Sequence, residues 1–258
     1  MATILINGIH LNYEEEGTGV PLILLHGLAG NIMMFQHEIE VLKKNFRVIA
    51  LDSRGHGKSE KPSTYTLEDH VNDVISFMDY FGIEKASILG ISMGSYIAQG
   101  VAIKVPERIN QLVLVSSKSN GETSSMMRLL SEYAEEMVNL NQQEKLMYVS
   151  KYIFHNLPAL AKSMKETTEY SSLTPEQNVA ANKALEGFDF RSSLHKIKAT
   201  TLVINGKYDG LNPPVQGKEI AALIPHAVYI EFENSGHAPN KEEQEKFMAV
   251  IQDFLIES

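Results

Sequence analysis

The chain has 258 residues, of which 43% are apolar and 21% are charged, and its formal net charge is −9. A chain of this length forms one large domain with a sizeable core, and this composition excludes an intrinsically disordered protein. The acidic balance argues against nucleic acid or an anionic membrane surface as a partner, and a sequence with no cysteine excludes disulfides, thiolate catalysis and cysteine metal sites.

Residues 1–16 predict a β-hairpin rather than a targeting segment. Apolar residues alternate with polar ones on both sides of Asn7-Gly8, a dipeptide that favours the backbone of a tight hairpin turn. The segment has no basic region and no continuous apolar run, so it does not resemble a signal peptide. Apolar runs elsewhere are shorter than the about 18 residues that a membrane-spanning helix needs, and we expect a cytoplasmic protein.

Six short apolar runs follow the hairpin and show little alternation. Runs of this kind are typical of strands that are covered on both faces, as in a parallel sheet. The predicted strands are Pro21–His26, Phe46–Asp52, Ala86–Gly90, Gln111–Val115, Ala199–Asn205 and Ala227–Phe232.

Helical patterns lie between these strands. Thr66, with Asp69 three residues later, predicts a capped helix, and Asn240 with Glu243 predicts the cap of a C-terminal helix. Strands that alternate with helices indicate βαβ units and a doubly wound α/β sheet. The apolar stripes predicted for the first and last helices are Phe35, Ile39 and Leu42, and Phe247, Val250, Ile251 and Phe254.

Residues 119–194 interrupt the alternation because they contain no convincing strand. They predict four helices instead: Glu122–Leu140, Gln142–Phe154, Pro158–Tyr170 and Pro175–Glu186. An all-helical insert in an α/β chain indicates a cap or lid, which divides the core into 1–118 and 195–258. The five methionines of the insert fit core filling, or alternatively an adaptable pocket ceiling.

The segment Gly90-Ile91-Ser92-Met93-Gly94 is a G-x-S-x-G pentapeptide between a predicted strand and a predicted helix. In that setting a sharp turn projects the serine hydroxyl above the sheet. Glycine is needed on both sides because a Cβ there would strike the neighbouring strand or helix. The helix that follows offers free backbone N–H groups to a developing negative charge. Ser92 is therefore the candidate nucleophile.

A serine hydroxyl needs a base, and two loops supply the candidates. Asp209 and His237 each follow a predicted strand, as Ser92 does. The carboxyl ends of parallel strands share one edge of the sheet, so we expect these three side chains to converge there. The loop His26-Gly27-Leu28-Ala29-Gly30 ends another strand at this edge. Its Leu28 N–H, together with that of Met93, is the candidate oxyanion hole.

Five motifs, HGLAG, DSRGHGKS, GISMGS, GKYDG and SGHAP, occur in the order and spacing of a known family. Through them the chain resembles the α/β-hydrolase-fold serine hydrolases, of the esterase or lactonase type with a helical cap, over essentially its whole length. The resemblance implies a mostly parallel eight-stranded sheet flanked by helices, with an all-helical cap inserted.

The resemblance also implies roles for the candidate residues. Ser92 is then the nucleophile, His237 the general base and later the acid, and Asp209 the orienting carboxylate, with the Leu28 and Met93 N–H groups as the oxyanion hole. Many relatives have a second glycine where this chain has Ser95, which affects packing more than mechanism. A serine rather than an aspartate nucleophile argues against haloalkane dehalogenase or epoxide hydrolase chemistry.

The sequence therefore predicts a carboxylic-ester or lactone hydrolase that works through an acyl-enzyme and needs no cofactor. No metal site is expected, because the other histidines are scattered without ligand spacing. Ile91 and Met93 beside the serine favour an apolar small-molecule substrate. The alternatives are an enol-lactonase, a C–C bond hydrolase of a ring-fission product, and a ligand-sensing signalling protein of the same fold.

Overall fold

A computed structural model describes residues 1–257, which contain one eight-stranded sheet of strand order β1-β2-β4-β3-β5-β6-β7-β8. Strand β2 pairs antiparallel with β1 and with β4, and all other neighbours are parallel. The predicted fold class is confirmed. The strands are β1 (Ala2–Ile6), β2 (Ile9–Glu16), β3 (Val20–Leu25), β4 (Phe46–Leu51), β5 (Ala86–Ile91), β6 (Ile109–Val115), β7 (Thr200–Gly206) and β8 (Val228–Phe232).

Ten α-helices lie among the described residues, together with four short 3-10 turns. The helices are α1 (Gln36–Leu42), α2 (Leu67–Tyr80), α3 (Met93–Lys104), α4 (Ser125–Glu132), α5 (Gln142–Ile153), α6 (Leu157–Tyr170), α7 (Pro175–Lys183), α8 (Pro214–Leu223), α9 (Pro239–Glu242) and α10 (Gln244–Glu257). The 3-10 turns are Ile32–Phe35, Pro106–Arg108, Glu135–Met137 and Leu194–Lys196.

The core lies on both faces of the sheet. Ile23 and Leu25 of β3 belong to a cluster with α2, α3 and α8, whereas Leu22 and Leu24 belong to a second cluster with α1 and α10. Burial of both faces explains why the strands are continuous apolar runs rather than alternating ones.

The hairpin and one helix start follow the local signals of the sequence. Asn7 and Gly8 both have positive φ, and Ile6 pairs with Ile9 across the turn, as predicted. Thr66 caps α2: its side chain accepts from the Asp69 N–H, and the Asp69 carboxylate accepts from the Thr66 N–H.

The predicted cap at Asn240 is wrong. Asn240 lies inside α9, which begins after Ala238, and its Nδ2 donates to the buried Glu38 carboxylate at 2.9 Å. Glu243 turns back to accept from the Asn234 N–H and the Ser235 hydroxyl. These tertiary partners take the place of a local capping box. The predicted stripe of the last helix nevertheless packs into the core.

The helices α4 to α7 lie between β6 and β7, as expected of the insert. The predicted helix Glu122–Leu140 is wrong in length, because α4 ends at Glu132 and a separate 3-10 turn covers Glu135–Met137. Leu129 before the break and Met137 after it enter one small buried cluster with α5. The chain enters and leaves the insert side by side, where Asn120 bridges to Asp189.

No helix in residues 1–257 combines the length and the apolarity that crossing a lipid bilayer requires.

Three buried histidines form a row beneath the sheet edge. The rings of His26 and His56 lie 5.3 Å apart and those of His56 and His70 lie 6.2 Å apart. Burial lowers the pKa of His26 to about 4 and that of His56 to about 3, and it lowers the pKa of His70 well below its ordinary value. All three are therefore neutral in the folded protein at neutral pH.

This row predicts loss of stability in acid. Below the ordinary histidine pKa of about 6.5, these histidines bind protons in the unfolded chain but stay neutral in the folded protein. The free energy of unfolding therefore falls as the pH falls. At pH 5 each such histidine costs about 2 kcal/mol. Urea unfolding at several pH values measures the slope.

A pair of variants isolates the effect. His70→Phe removes a titrating ring without removing a hydrogen bond, because neither ring nitrogen of His70 has a partner within residues 1–257. We expect it to flatten the acid slope, whereas His37→Gln, at an exposed histidine of α1, leaves the slope unchanged. Equal slopes in all three proteins would contradict the assignment.

Candidate active site

Ser92 lies in a strained turn between β5 and α3. Its backbone has φ 52° and ψ −117°, a conformation that costs an ordinary residue free energy and marks functional sites. The turn is fixed by close backbone contacts. A Cβ on Gly90 would lie 2.3 Å from the Gly94 oxygen, and a Cβ on Gly94 would lie 2.0 Å from the Leu25 oxygen. The two glycines are therefore required by packing.

Three side chains distant in sequence form one hydrogen-bonded chain at the carboxyl edge of the sheet. The Ser92 Oγ lies 3.0 Å from His237 Nε2, and His237 Nδ1 lies 2.8 Å from Asp209 Oδ2. An ionised carboxylate only accepts, so Nδ1 carries the proton and Nε2 of the neutral ring is free to accept from the serine hydroxyl. This is the tautomer that general-base catalysis requires.

Asp209 is buried and accepts three hydrogen bonds. Its other oxygen, Oδ1, accepts from the Leu211 N–H at 2.9 Å and from the Asn212 N–H at 2.8 Å. A carboxylate that bonds its own backbone two and three residues ahead has little rotational freedom. Asp209 therefore presents Oδ2 to the His237 ring in a fixed direction.

Asn212 connects the Asp209 loop to the end of β6 and to α3. It was not singled out from the sequence. Its Nδ2 donates to Ser116 O and to the Tyr96 hydroxyl, both at 2.7 Å, and its Oδ1 accepts from Ser125. The side chain is fully buried. The sequence signal for Asn212 was its position three residues after Asp209. In an Asx turn the backbone N–H at such a position donates to the aspartate carboxylate.

Both oxyanion-hole candidates have available N–H groups beside Ser92. Leu28 lies in a tight turn closed by the Gly30 N–H on Gly27 O at 3.0 Å, and Met93 is the first residue of α3. Over residues 1–257, neither N–H has a hydrogen-bond acceptor in the protein. The first N–H groups of a helix have no partner within it, and they favour negative charge.

His26 and Asp52 brace the loops around these donors. The Ser53 N–H donates to His26 Nε2 at 3.0 Å, so the ring carries its proton on Nδ1 and donates it to Gly27 O at 2.8 Å. Asp52 accepts from the Ile32 N–H at 2.9 Å. Neither side chain takes part in the Ser92 hydrogen-bond chain.

A cavity of about 430 Å³ opens above Ser92 and His237. Its walls are mostly apolar, and those from the insert include Met126, Leu160 and Met164. The volume falls in the range of small-molecule sites.

Lys241 also lines the cavity, but it forms an ion pair with the fully buried Glu38 at 3.2 Å. The pair contributes no net charge to the cavity wall. In the part of the chain that the structure describes, no cluster of three or more histidine or carboxylate side chains could hold a metal ion.

The family is established by comparison with known proteins. The sequence model of the alpha/beta hydrolase fold matches residues 20–244, and the chain belongs to this family. Its core sheet, its strand order and the serine turn after β5 are therefore those of an α/β hydrolase.

Three proteins illustrate the similarity. The pimeloyl-(acyl-carrier protein) methyl ester esterase of Aliivibrio salmonicida is 26% identical, with 95% of each chain covered. The 2-hydroxymuconate semialdehyde hydrolase of Pseudomonas putida is 29% identical over 99% of this chain and 94% of that protein. The crystal structure of the enol-lactonase from Burkholderia xenovorans LB400 superposes with a TM-score of 0.83 at 26% identity, covering 98% of this chain and 99% of that one.

The packing of the serine turn yields a stability prediction. We expect Gly94→Ala to lower the free energy of unfolding by about 1–3 kcal/mol, because the new methyl group meets backbone that cannot move aside. Gly27→Ala is the matched control. Its Cβ would lie 3.5 Å from the Ser92 Cβ, an ordinary contact, so its effect should be within about 0.5 kcal/mol. Chemical denaturation compares the two, and equal losses would contradict the packing argument.

Proposed function

We propose that the protein is a serine hydrolase that cleaves a carboxylic ester or lactone. The observation that carries the proposal is the hydrogen-bonded chain Ser92–His237–Asp209, with distances of 3.0 and 2.8 Å. The N–H groups of Leu28 and Met93 support it, because neither has an acceptor within residues 1–257 and both are free to donate to an oxyanion. The family contributes the class of hydrolase but not the bond cleaved.

The chemistry follows from the geometry. The Ser92 Oγ attacks the substrate carbonyl while His237 Nε2 takes the hydroxyl proton. The Leu28 and Met93 N–H groups hold the oxyanion, and a donor in this role lowers the barrier by about 3–4 kcal/mol. His237 then gives its proton to the leaving alcohol. Water attacks the acyl-enzyme with His237 again as base, which releases the acid and restores the Ser92 hydroxyl.

The substrate we propose is an uncharged, mostly apolar small molecule. The cavity walls and the neutral Lys241–Glu38 pair support this choice. Relatives named methyl ester esterase and enol-lactonase are consistent with it. The cap we propose is residues 119–194, because α6 covers the cavity and the insert joins the core at the Asn120–Asp189 bridge.

A second candidate is hydrolysis of a C–C bond in a ring-fission product, with the same three side chains. The relative named 2-hydroxymuconate semialdehyde hydrolase, at 29% identity, favours it. A charged ring-fission product would need an unpaired cation in the cavity, whereas Lys241 is paired with Glu38. We therefore rank the ester or lactone first. A ligand sensor of the same fold would bind such compounds with slow turnover.

The first test asks whether Ser92 is activated. Wild-type protein should be labelled by a fluorophosphonate and should hydrolyse p-nitrophenyl acetate, and Ser92→Ala should lose the label and at least about 1000-fold in kcat. Ser131→Ala, at an exposed serine of α4, serves as the control and should retain both. Turnover retained by Ser92→Ala would exclude the proposed mechanism. If wild-type protein bound the ester stoichiometrically but did not hydrolyse it, the result would favour the ligand sensor.

The second test asks whether the cavity selects the acyl group. Leu160 is almost fully buried and lines the cavity, so Leu160→Phe should shorten the space available to the substrate. We expect kcat/KM for a p-nitrophenyl octanoate to fall by about ten-fold relative to the acetate. Val179→Phe is the control, since Val179 is exposed on α7. An unchanged chain-length series would place the acyl group elsewhere.

A further inference from the structure

Glu242 of α9 accepts four backbone hydrogen bonds, and the proposed mechanism gives it no role. Its Oε1 accepts from the Gly236 N–H at 3.0 Å and from the Ala238 N–H at 3.1 Å. Its Oε2 accepts from the His155 and Asn156 N–H groups, both at 2.7 Å. The four donors come from two segments far apart in sequence.

The first pair of donors flanks His237. The backbone of His237 is itself fixed, because its N–H donates to Ile153 O at 2.7 Å and its carbonyl accepts from the Ser116 hydroxyl at 2.9 Å. With Glu242 in place, the peptide groups before and after the imidazole are both held. The direction of the ring toward Ser92 depends on these restraints.

The second pair of donors lies in the turn between α5 and α6. Leu160 and Met164, in the helix that starts at this turn, line the cavity. The turn and the His237 loop touch directly: a Cβ on Gly236 would lie 2.3 Å from Ile153 O and 2.9 Å from the His155 nitrogen. One carboxylate therefore joins the histidine loop to the start of the cavity wall.

Only a carboxylate suits this position. Two oxygens with two lone pairs each can accept four N–H bonds, whereas an amide has one accepting oxygen and a donating NH2. Bonds to a charged acceptor are also stronger than neutral ones. Glu242 is buried, and none of the ion pairs found within residues 1–257 includes it, so the four N–H dipoles are the groups that compensate its charge.

We propose that Glu242 is a positioning residue. It keeps the His237 ring directed at the Ser92 hydroxyl and connects the His237 loop to the cap. The inference rests on the proposed serine-hydrolase function. Because the start of α6 is connected to the His237 loop through Glu242, a substrate that packs against α6 also affects the position of the imidazole. Glu242 acts through the backbone of its neighbours and does not touch the reacting atoms.

The primary test is Glu242→Gln, with p-nitrophenyl acetate as substrate. The amide loses half of the accepting capacity and places an NH2 against two backbone N–H groups. We expect kcat to fall about 10- to 100-fold with KM changed less than about three-fold, because a displaced base slows chemistry more than binding. Circular dichroism at the assay temperature establishes that the variant is folded. A folded variant with kcat within about two-fold of wild type overturns the proposal.

The matched control is Glu243→Gln, the same substitution one residue along. Glu243 accepts from the Asn234 N–H at 3.0 Å and from the Ser235 hydroxyl at 2.7 Å, and it has no bond to the cap turn or to residues 236–238. Its kcat should stay within about two-fold of wild type. Equal losses in both variants would assign the effect to general loosening of the loop and would contradict a specific role.

Two further readouts separate positioning from stability. The acid limb of the pH–rate profile reports the histidine, and its midpoint should move in Glu242→Gln but not in Glu243→Gln. Glu242→Asp keeps the charge on a shorter side chain, and we expect its kcat to lie between those of wild type and Glu242→Gln. A pH profile identical to wild type in a slow Glu242→Gln would overturn the positioning role.

Hydrogen exchange in the wild-type protein needs no variant. The amides of Gly236, Ala238, His155 and Asn156 should exchange at least about 100-fold more slowly than in an unstructured chain, as one group. Fast exchange at these amides overturns the proposal even if the variants do not fold. Inactive wild-type protein with protected amides would instead remove the hydrolase function and leave the Glu242 bridge intact, so the two failures are distinguishable.

Discussion

The active-site geometry depends on the close approach of β5 and α3 at Ser92. The backbone there passes so near to Leu25 and to its own helix that Gly90 and Gly94 cannot carry a Cβ, and the serine between them adopts a left-handed conformation. That conformation is costly, and it persists because the parallel strands on both sides of β5 fix its position. The strained turn then determines where the hydroxyl, the Met93 N–H and the start of α3 lie. The fold supplies the strain, and the strain exposes the hydroxyl.

The charges around the site follow from the same burial. Asp209 and Glu242 are both buried carboxylates, and each is compensated mainly by backbone N–H groups, with His237 as a further partner of Asp209. Fixed amide dipoles stabilise an anion without placing a cation near the substrate, which keeps the cavity free of net charge. The buried histidine row is neutral for a different reason: its rings are shielded from water, and burial disfavours the imidazolium form. The protein is acidic overall, yet the sheet edge that holds Ser92, Asp209 and His237 consists of neutral and internally compensated groups.

The sequence predicted those parts of the fold that local patterns encode. Apolar runs identified the strands because both faces of the sheet are covered, and Thr66 with Asp69 identified the start of α2 because a capping box is satisfied within one turn. Asn240 failed as a cap because Glu38, some 200 positions away, competes for its side chain at 2.9 Å. The prediction of the insert was wrong in detail for a similar reason. Its five methionines differ in environment: Met137 is buried in the small cluster, Met126 lines the cavity, Met164 lines it but is 55% exposed, and Met127 and Met147 are exposed. Helical spacing alone does not distinguish these.

The same distinction applies to the site. Ser92, Asp209 and His237 could be predicted to converge because each ends or follows a strand of a parallel sheet, and topology alone brings such positions to one edge. Asn212 could have been predicted from the sequence, because the turn in which its N–H donates to Asp209 is local. Glu242 was not, because two of its four donors lie in the insert and no sequence pattern relates α9 to the α5–α6 turn. Residues that perform chemistry are constrained by the position of their strand, whereas residues that hold them in place are constrained by whatever packs beside them. In this protein the packing partner is the insert between β6 and β7, so one carboxylate joins the His237 loop to the turn before α6.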